Sequence, residues 1–303
     1  MKTNIIAYLL LAFLTGNIIT SCSEEELSDV SIFDESLQSE PNELDKWIEK
    51  NYLYAYNIDF KYRMEDIESS LSNNLVPIDY QLAVQMAHII KHVWFEAYDE
   101  VGGINFTRQY APKVIHLIGS RQWNPNGTVT LGYAEGGLKV TLVGGNWLEP
   151  DNIPFMNEMY FQTMHHEFSH ILHQTKNYPV EYNQLSEGHY SPSGWNNRTN
   201  IAQYAPYGFV TAYGSSQPTE DIAEVTACYL TWSQEQWDAL EAGTKTDVDG
   251  NPVSGGWEII QQKITIMKNY MKESFGVDMD QLRDAINRRC EEIQHMDLNE
   301  LPE

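Results

Sequence analysis

His166, Glu167 and His170 stand in the pattern H-E-x-x-H, inside His165-His166-Glu167-Phe168-Ser169-His170. Four residues of α-helix turn through about 400°, so the two imidazoles sit about 40° apart on one face and about 6 Å apart along the axis. Both can then reach one tetrahedral ion. Glu167 lies beside that ion, placed to take a proton from a metal-activated water. Composition alone predicts only about 0.02 chance occurrences of this pattern in the chain. Met164, Phe168, Ile171 and Leu172 give the segment an apolar side, as a half-buried helix requires. The plain alternative is a structural helix that merely contains two histidines.

A zinc site of this kind needs a third protein ligand and an open fourth position. The best source is Tyr213-Gly-Ser-Ser-Gln-Pro-Thr-Glu220-Asp-Ile-Ala-Glu224, where Glu220 and Glu224 fall one helical turn apart. One acid can coordinate the metal while the other holds a ligand imidazole through its free N–H. Such pairs usually mark a solvated face. Here Ile222, Ala223, Val225 and Ala227 leave little room for one, which favours burial. Cys228 reads as core. Asp247-Val-Asp249-Gly250 reads as a turn rather than a calcium loop, because Lys245 replaces an earlier acid and no Glu closes it.

These segments, HHEFSHILHQ and the downstream Y-x6-E-x-x-A-E, resemble the gluzincin metallopeptidases with a lethal-factor-like third-ligand motif. From about Trp47 to Tyr270 the chain is also similar to zinc metallohydrolase lipoproteins associated with outer-membrane nutrient import. That similarity includes Leu117-Ile-Gly-Ser120, the Asn126 to Gly132 hairpin and Gly136-Gly137. The resemblance implies an α+β, zincin-like fold holding one catalytic Zn2+. It implies His166, His170 and Glu220 as metal ligands and Glu167 as general base. It further implies Tyr213 as hydrogen-bond donor to the oxyanion and Glu224 as the acid behind a ligand. His165 and His173 match no role in that set and read as surface or cleft-wall residues. Zincins align substrate along an edge strand, for which Leu138 to Val143 is the candidate.

The positioning elements follow from periodicity. Helices are expected at about 42–54, 79–98, 155–174, 219–232, 257–275 and 279–293, with another opening on the box Ser233-Gln-Glu-Gln236. Tyr56 to Tyr62 alternates as a strand with Ile58, Phe60 and Tyr62 on one face. Val114 to Ser120, Val129 to Tyr133 and Leu138 to Val143 complete a small mixed or antiparallel sheet before the active helix, with turn signals at Asn124-Pro-Asn-Gly127 and Gly136-Gly137. Thr175 to Pro218 lacks a period, and its aromatics favour an ordered cleft wall. The catalytic unit is thus 44–303, with a sheet-bearing part at 44–174 and a helical part at 175–303.

With 42% hydrophobic and 12% aromatic residues the 303-residue chain can build a core, which excludes disorder. A net charge of -24 argues against nucleic acid. Lys2 followed by the apolar run Ile5 to Leu14 reads as a signal peptide over 1–21, too short for an ordinary span. Ile19-Thr20-Ser21-Cys22 resembles a bacterial lipobox, which implies cleavage before Cys22 and its lipidation. Residues 22–43 then form an acidic tether, and acids directly after the lipidated Cys resemble the surface-export signal of certain Gram-negative lipoproteins. The expected place is the outer membrane, facing outward, with the periplasmic face as the alternative. Contact with membrane is expected through the lipid alone. Cys228 and Cys290 could pair or remain buried thiols.

The leading function is a cell-surface zinc metallopeptidase acting on a peptide or glycoprotein, working beside an import complex. Two alternatives remain at this stage. One is a non-catalytic lipoprotein that captures substrate, with Trp195, Tyr204 and Tyr207 as stacking faces. The other is a non-peptide amide hydrolase using the same zinc chemistry.

Overall fold

In the computed structural model the described residues are 40–64, 75–124, 129–135 and 137–302. The signal peptide, Cys22 and most of the acidic segment lie outside them, as do the turn residues 125–128 and Gly136. Asn42–Glu303 is a compact unit. Among the described residues no helix is long and apolar enough to cross a membrane.

The unit opens with α1 (residues 43–56), whose start is closed by a capping box between Asn42 and Asp45. Its middle turn, Glu49–Leu53, is π-helical, and Asn57 ends it in the left-handed region. Strand β1 is Asp59–Lys61, and Ile58, Phe60 and Tyr62 are all buried as their alternation implies. Helix α2 (residues 80–102) begins under the Asp79 cap, contains a π-turn at Ile90–Phe95 and stops at Gly103, φ 81°. A short α3, Ile104–Tyr110, follows at once. It carries no periodic signal strong enough to show in the sequence, since Gly102-Gly103 reads only as a terminator.

Strands β2 (Val114–Leu117), β3 (Gln122–Trp123), β4 (Val129–Thr130), β5 (Gly132–Glu135) and β6 (Lys139–Leu142) make two sheets. The main sheet is mixed, in the order β1-β2-β6-β5, with only β5 antiparallel to its neighbour. The stretch Val129 to Tyr133 is therefore two strands: β4 pairs with β3, and the chain changes sheet at Leu131. The expectation that Leu138 to Val143 forms the edge is corrected here. The hairpin folds β5 onto β6, covers its outer side and leaves β5 as the edge.

The edge strand lies against α4 (residues 153–175), which starts at the Asn152 cap and passes through a π-turn at Asn157–Phe161 into the regular Gln162–Thr175. Contact is close at Gly132, where a Cβ would stand 2.6 Å from Thr163 Cγ2 and 2.8 Å from the Thr141 carbonyl. Residues 176–217 then form an ordered segment of turns, with α5 (Glu181–Gln184) and 3-10 turns at Trp195–Asn197, Ile201–Gln203, Ala205–Tyr207 and Tyr213–Ser215. Four helices complete the unit: α6 (Pro218–Thr231), α7 (Gln234–Gly243), α8 (Gly256–Phe275) and α9 (Met279–Glu292). The box Ser233–Gln236 caps α7 as expected, and Asp247 closes a tight turn onto Asn251 and Gly250. Cys228 and Cys290 are both buried free thiols, which decides between the two expectations for them.

Candidate metal centre

Helices α4 and α6 pack directly on each other, and their facing residues carry the site. His166 Nε2 and His170 Nε2 lie 3.0 Å apart, and Glu220 Oε2 lies 3.1 Å from the first and 3.0 Å from the second. Three ligands at about 2.0–2.1 Å from a tetrahedral zinc would be separated by roughly 3.3 Å, so this spacing fits the ion. Among the described residues these three form the one group of His, Cys, Asp and Glu spaced to hold a metal.

The other ring nitrogens explain why both Nε2 atoms face inward. His166 Nδ1 donates to Glu224 Oε1 at 2.7 Å. Glu224 in turn accepts from Thr211 Oγ1 at 2.7 Å. His170 Nδ1 meets His173 Nε2 at 2.8 Å. With each Nδ1 hydrogen-bonded outward, each Nε2 is the ring nitrogen turned toward the point where a metal would sit. Buried, partnered donors aimed at one point are what a cation site requires and what a purely structural helix lacks.

Two histidines depart from expectation. His173 is the hydrogen-bond partner of His170 rather than a surface or cleft-wall group. Its spacing of three from His170 on a helix was the available signal. His165 is fully buried in the core, 3.3 Å from the Tyr98 hydroxyl, because α4 turns that side, which also carries Phe168, toward Tyr98 and Phe106. Burial holds its imidazole down to about 3, so it stays neutral.

Glu167 and His166 line a cleft of 470 Å³. One side of it is α4, through Glu158, Gln162 and Thr163; another is the strand end Val129 to Gly132. Trp195 and Tyr213 close the remaining side, their rings 4.8 Å apart and inclined at 65°. The Tyr213 ring stands 5.7 Å from that of His166. The sequence-derived set His166, Glu167, His170, Tyr213, Glu220 and Glu224 is thus brought together, whereas Tyr204 and Tyr207 do not line the cleft.

The family described as "Putative zinc-binding metallo-peptidase" matches residues 37–280. The chain belongs to this family. It is also similar to a crystal structure described as a "putative zinc-binding metallo-peptidase" from Bacteroides caccae ATCC 43185. Identity is 55%, covering 90% of this chain and 100% of that one, with a TM-score of 0.75. No curated protein matches.

The electrostatics suit a zinc-binding metallo-peptidase. Burial alone would push the His166 imidazole down, but its bonds to Glu220 and Glu224 outweigh this and raise it to about 10. Burial likewise opposes ionisation of Glu220, yet pairing with His166 and His170 holds its carboxyl well below the usual range. Glu220 is therefore an anion ready for a cation. Burial first, and then the His170 ring, lower His173 to about 4, which leaves it neutral and able to accept the His170 proton. Burial and the nearby Glu220 charge push the Tyr213 hydroxyl above its ordinary range, so it remains a donor.

Proposed function

We propose that this protein is a zinc metallopeptidase of the gluzincin type that cuts peptide bonds with Glu167 as general base. The observation that carries the reading is the convergence of His166 Nε2, His170 Nε2 and Glu220 Oε2, with Glu167 beside them in an open cleft. Zinc held there supplies acidification of water and polarisation of a substrate carbonyl. The chain's own groups do the rest. Glu167 accepts the proton of the attacking water and returns it to the leaving amine. Tyr213, protonated and half-exposed at the cleft wall, donates toward the developing oxyanion. Glu224 and His173 keep both ligand imidazoles in the tautomer that leaves Nε2 free.

The substrate enters extended, adding to the free side of β5, whose start at Gly132 lies on the cleft. Its class is a peptide or the peptide part of a glycoprotein. Cys22 carries the lipid that holds the enzyme at the outer membrane, facing outward beside an import complex. The acids between Cys22 and Glu43 give it reach.

Zinc analysis of the mature soluble domain, followed by digestion of a peptide library, tests the reading. Glu167→Gln is expected to retain stoichiometric zinc and lose about 10²–10⁴-fold in kcat. A metal-loaded Gln variant with parental turnover excludes this mechanism. Bound zinc without any cleavage by the parent points instead to substrate capture.

A further inference from the structure

Lys263 has no exposed side-chain surface, and neither does Asp221, to which it is paired at 2.5 Å. Lys263 sits on the apolar face of α8 among Ile260, Ile264 and Met267. Its Nζ also donates to the Gly208 carbonyl at 2.8 Å and lies 4.4 Å above the Phe209 ring. Tyr190 donates to the same Asp221 oxygen at 2.8 Å. Nothing in the hydrolytic chemistry uses any of these groups.

Their positions are what matter. Asp221 follows Glu220 in the first turn of α6, so the two carboxylates point about 100° apart. Glu220 faces the metal centre while Asp221 faces α8. Tyr190 and Gly208 belong to the same segment that carries Trp195 and Tyr213 across the cleft. Gly208 is fitted to this duty, with φ 84° and no room for a Cβ, which would stand 2.2 Å from Ile259 Cγ2. That closeness brings its carbonyl within reach of Lys263. Burying two charges is a poor way to stabilise a core, since apolar residues of similar volume do as well or better. A buried pair with fixed donors and acceptors is, however, an effective way to impose one register.

We propose that Lys263 is a positioning residue of the metal centre. Through Asp221 it sets the rotation of α6 that aims Glu220 inward, and through Gly208 it holds the segment bearing Trp195 and Tyr213. Metal affinity and substrate affinity are therefore coupled at a point remote from both ligands. This rests on the ligand role of Glu220 proposed above.

The test is the double substitution Lys263→Met with Asp221→Leu, which removes both charges and leaves neither unpaired. Zinc Kd is read by chelator competition, KM and kcat with a cleaved peptide, and Tm on metal-free protein. The expected result is a Tm equal to or above the parent's, a zinc Kd weakened about 10–100-fold, and a raised KM. Parental Kd and KM in the folded double variant overturn the proposal. Tyr190→Phe removes one hydrogen bond without touching a charge, and serves if the double variant does not fold. It should weaken zinc about 3–10-fold while lowering Tm by only about 2–4 °C, and parental zinc affinity there likewise overturns the proposal. Zinc binding that survives Glu220→Ala at full strength overturns the ligand assignment, and this coupling with it.

Discussion

One side of the cleft is a single helix: Gln162, Thr163, His166 and Glu167 come from successive turns of α4, and His170 follows one turn beyond. The opposite side has no such economy. Trp195 and Tyr213 come from separate 3-10 turns, while Glu220 and Glu224 come from α6. The first wall has its spacing fixed by backbone hydrogen bonds, so its groups move together or not at all. The second is assembled by side chains, and its geometry depends on contacts such as Thr211 to Glu224 and Lys263 to Asp221. The same contrast recurs behind His166 and His170. A carboxylate backs His166 from the assembled wall, whereas a neighbour on the same helix backs His170.

The largest effect should come from removing the assembled wall's ligand. Glu220→Ala leaves two imidazoles and no anion, and zinc affinity should fall by more than the about 10–100-fold typical of an outer partner. Elemental analysis after dialysis reads this directly; full occupancy would mean that the regular wall holds the metal alone. The next pair sharpens the contrast. Glu224→Ala and His173→Ala should each weaken zinc by about 10–100-fold, with Glu224 the more costly because its bond to His166 is charge-assisted. Equal losses would show that the two backings are interchangeable.

A graded effect, about tenfold for each pH unit, is expected with pH. The His166 imidazole, at 6.5 when unperturbed, is raised to about 10 in the metal-free site. Its pairing therefore stabilises the metal-free fold fully below pH 6.5 and progressively less as pH rises toward 10. Zinc must displace that proton, so apparent Kd should tighten about tenfold per pH unit across this window. Calorimetry in buffers of different ionisation enthalpy would count the proton released. A count of zero would remove His166 as the site of exchange.

The same contrast explains what could be read from sequence. On α4 the chemistry has a fixed period, so His166, Glu167 and His170 are visible as a pattern, and His173 was visible had the spacing of three been weighed. Glu220 and Glu224 show through their period and apolar neighbours. Lys263 was the harder case: it falls on the stripe Ile260, Ile264, Met267, but a lysine there reads as an interruption unless its partner is known. That partner lies 42 residues away on another helix. Between Thr175 and Pro218 no period exists, because 3-10 turns of three residues bury isolated side chains rather than a face. The sheet was legible in its strands but not in its order. Alternation shows which residues pair with a core and is silent about which strand ends up outermost.

Gly132 has a consequence for how such a cleft changes over time. Strand and helix approach closely because one residue lacks a methyl group, and an added Cβ would press on Thr163 and on the Thr141 carbonyl. The spacing between β5, the proposed docking edge, and α4 is thus set by a single residue. Any larger residue at this position must displace Thr163 or disturb the pairing of β5 with β6. A change here would alter the proposed docking edge while leaving His166, Glu167, His170 and Glu220 untouched.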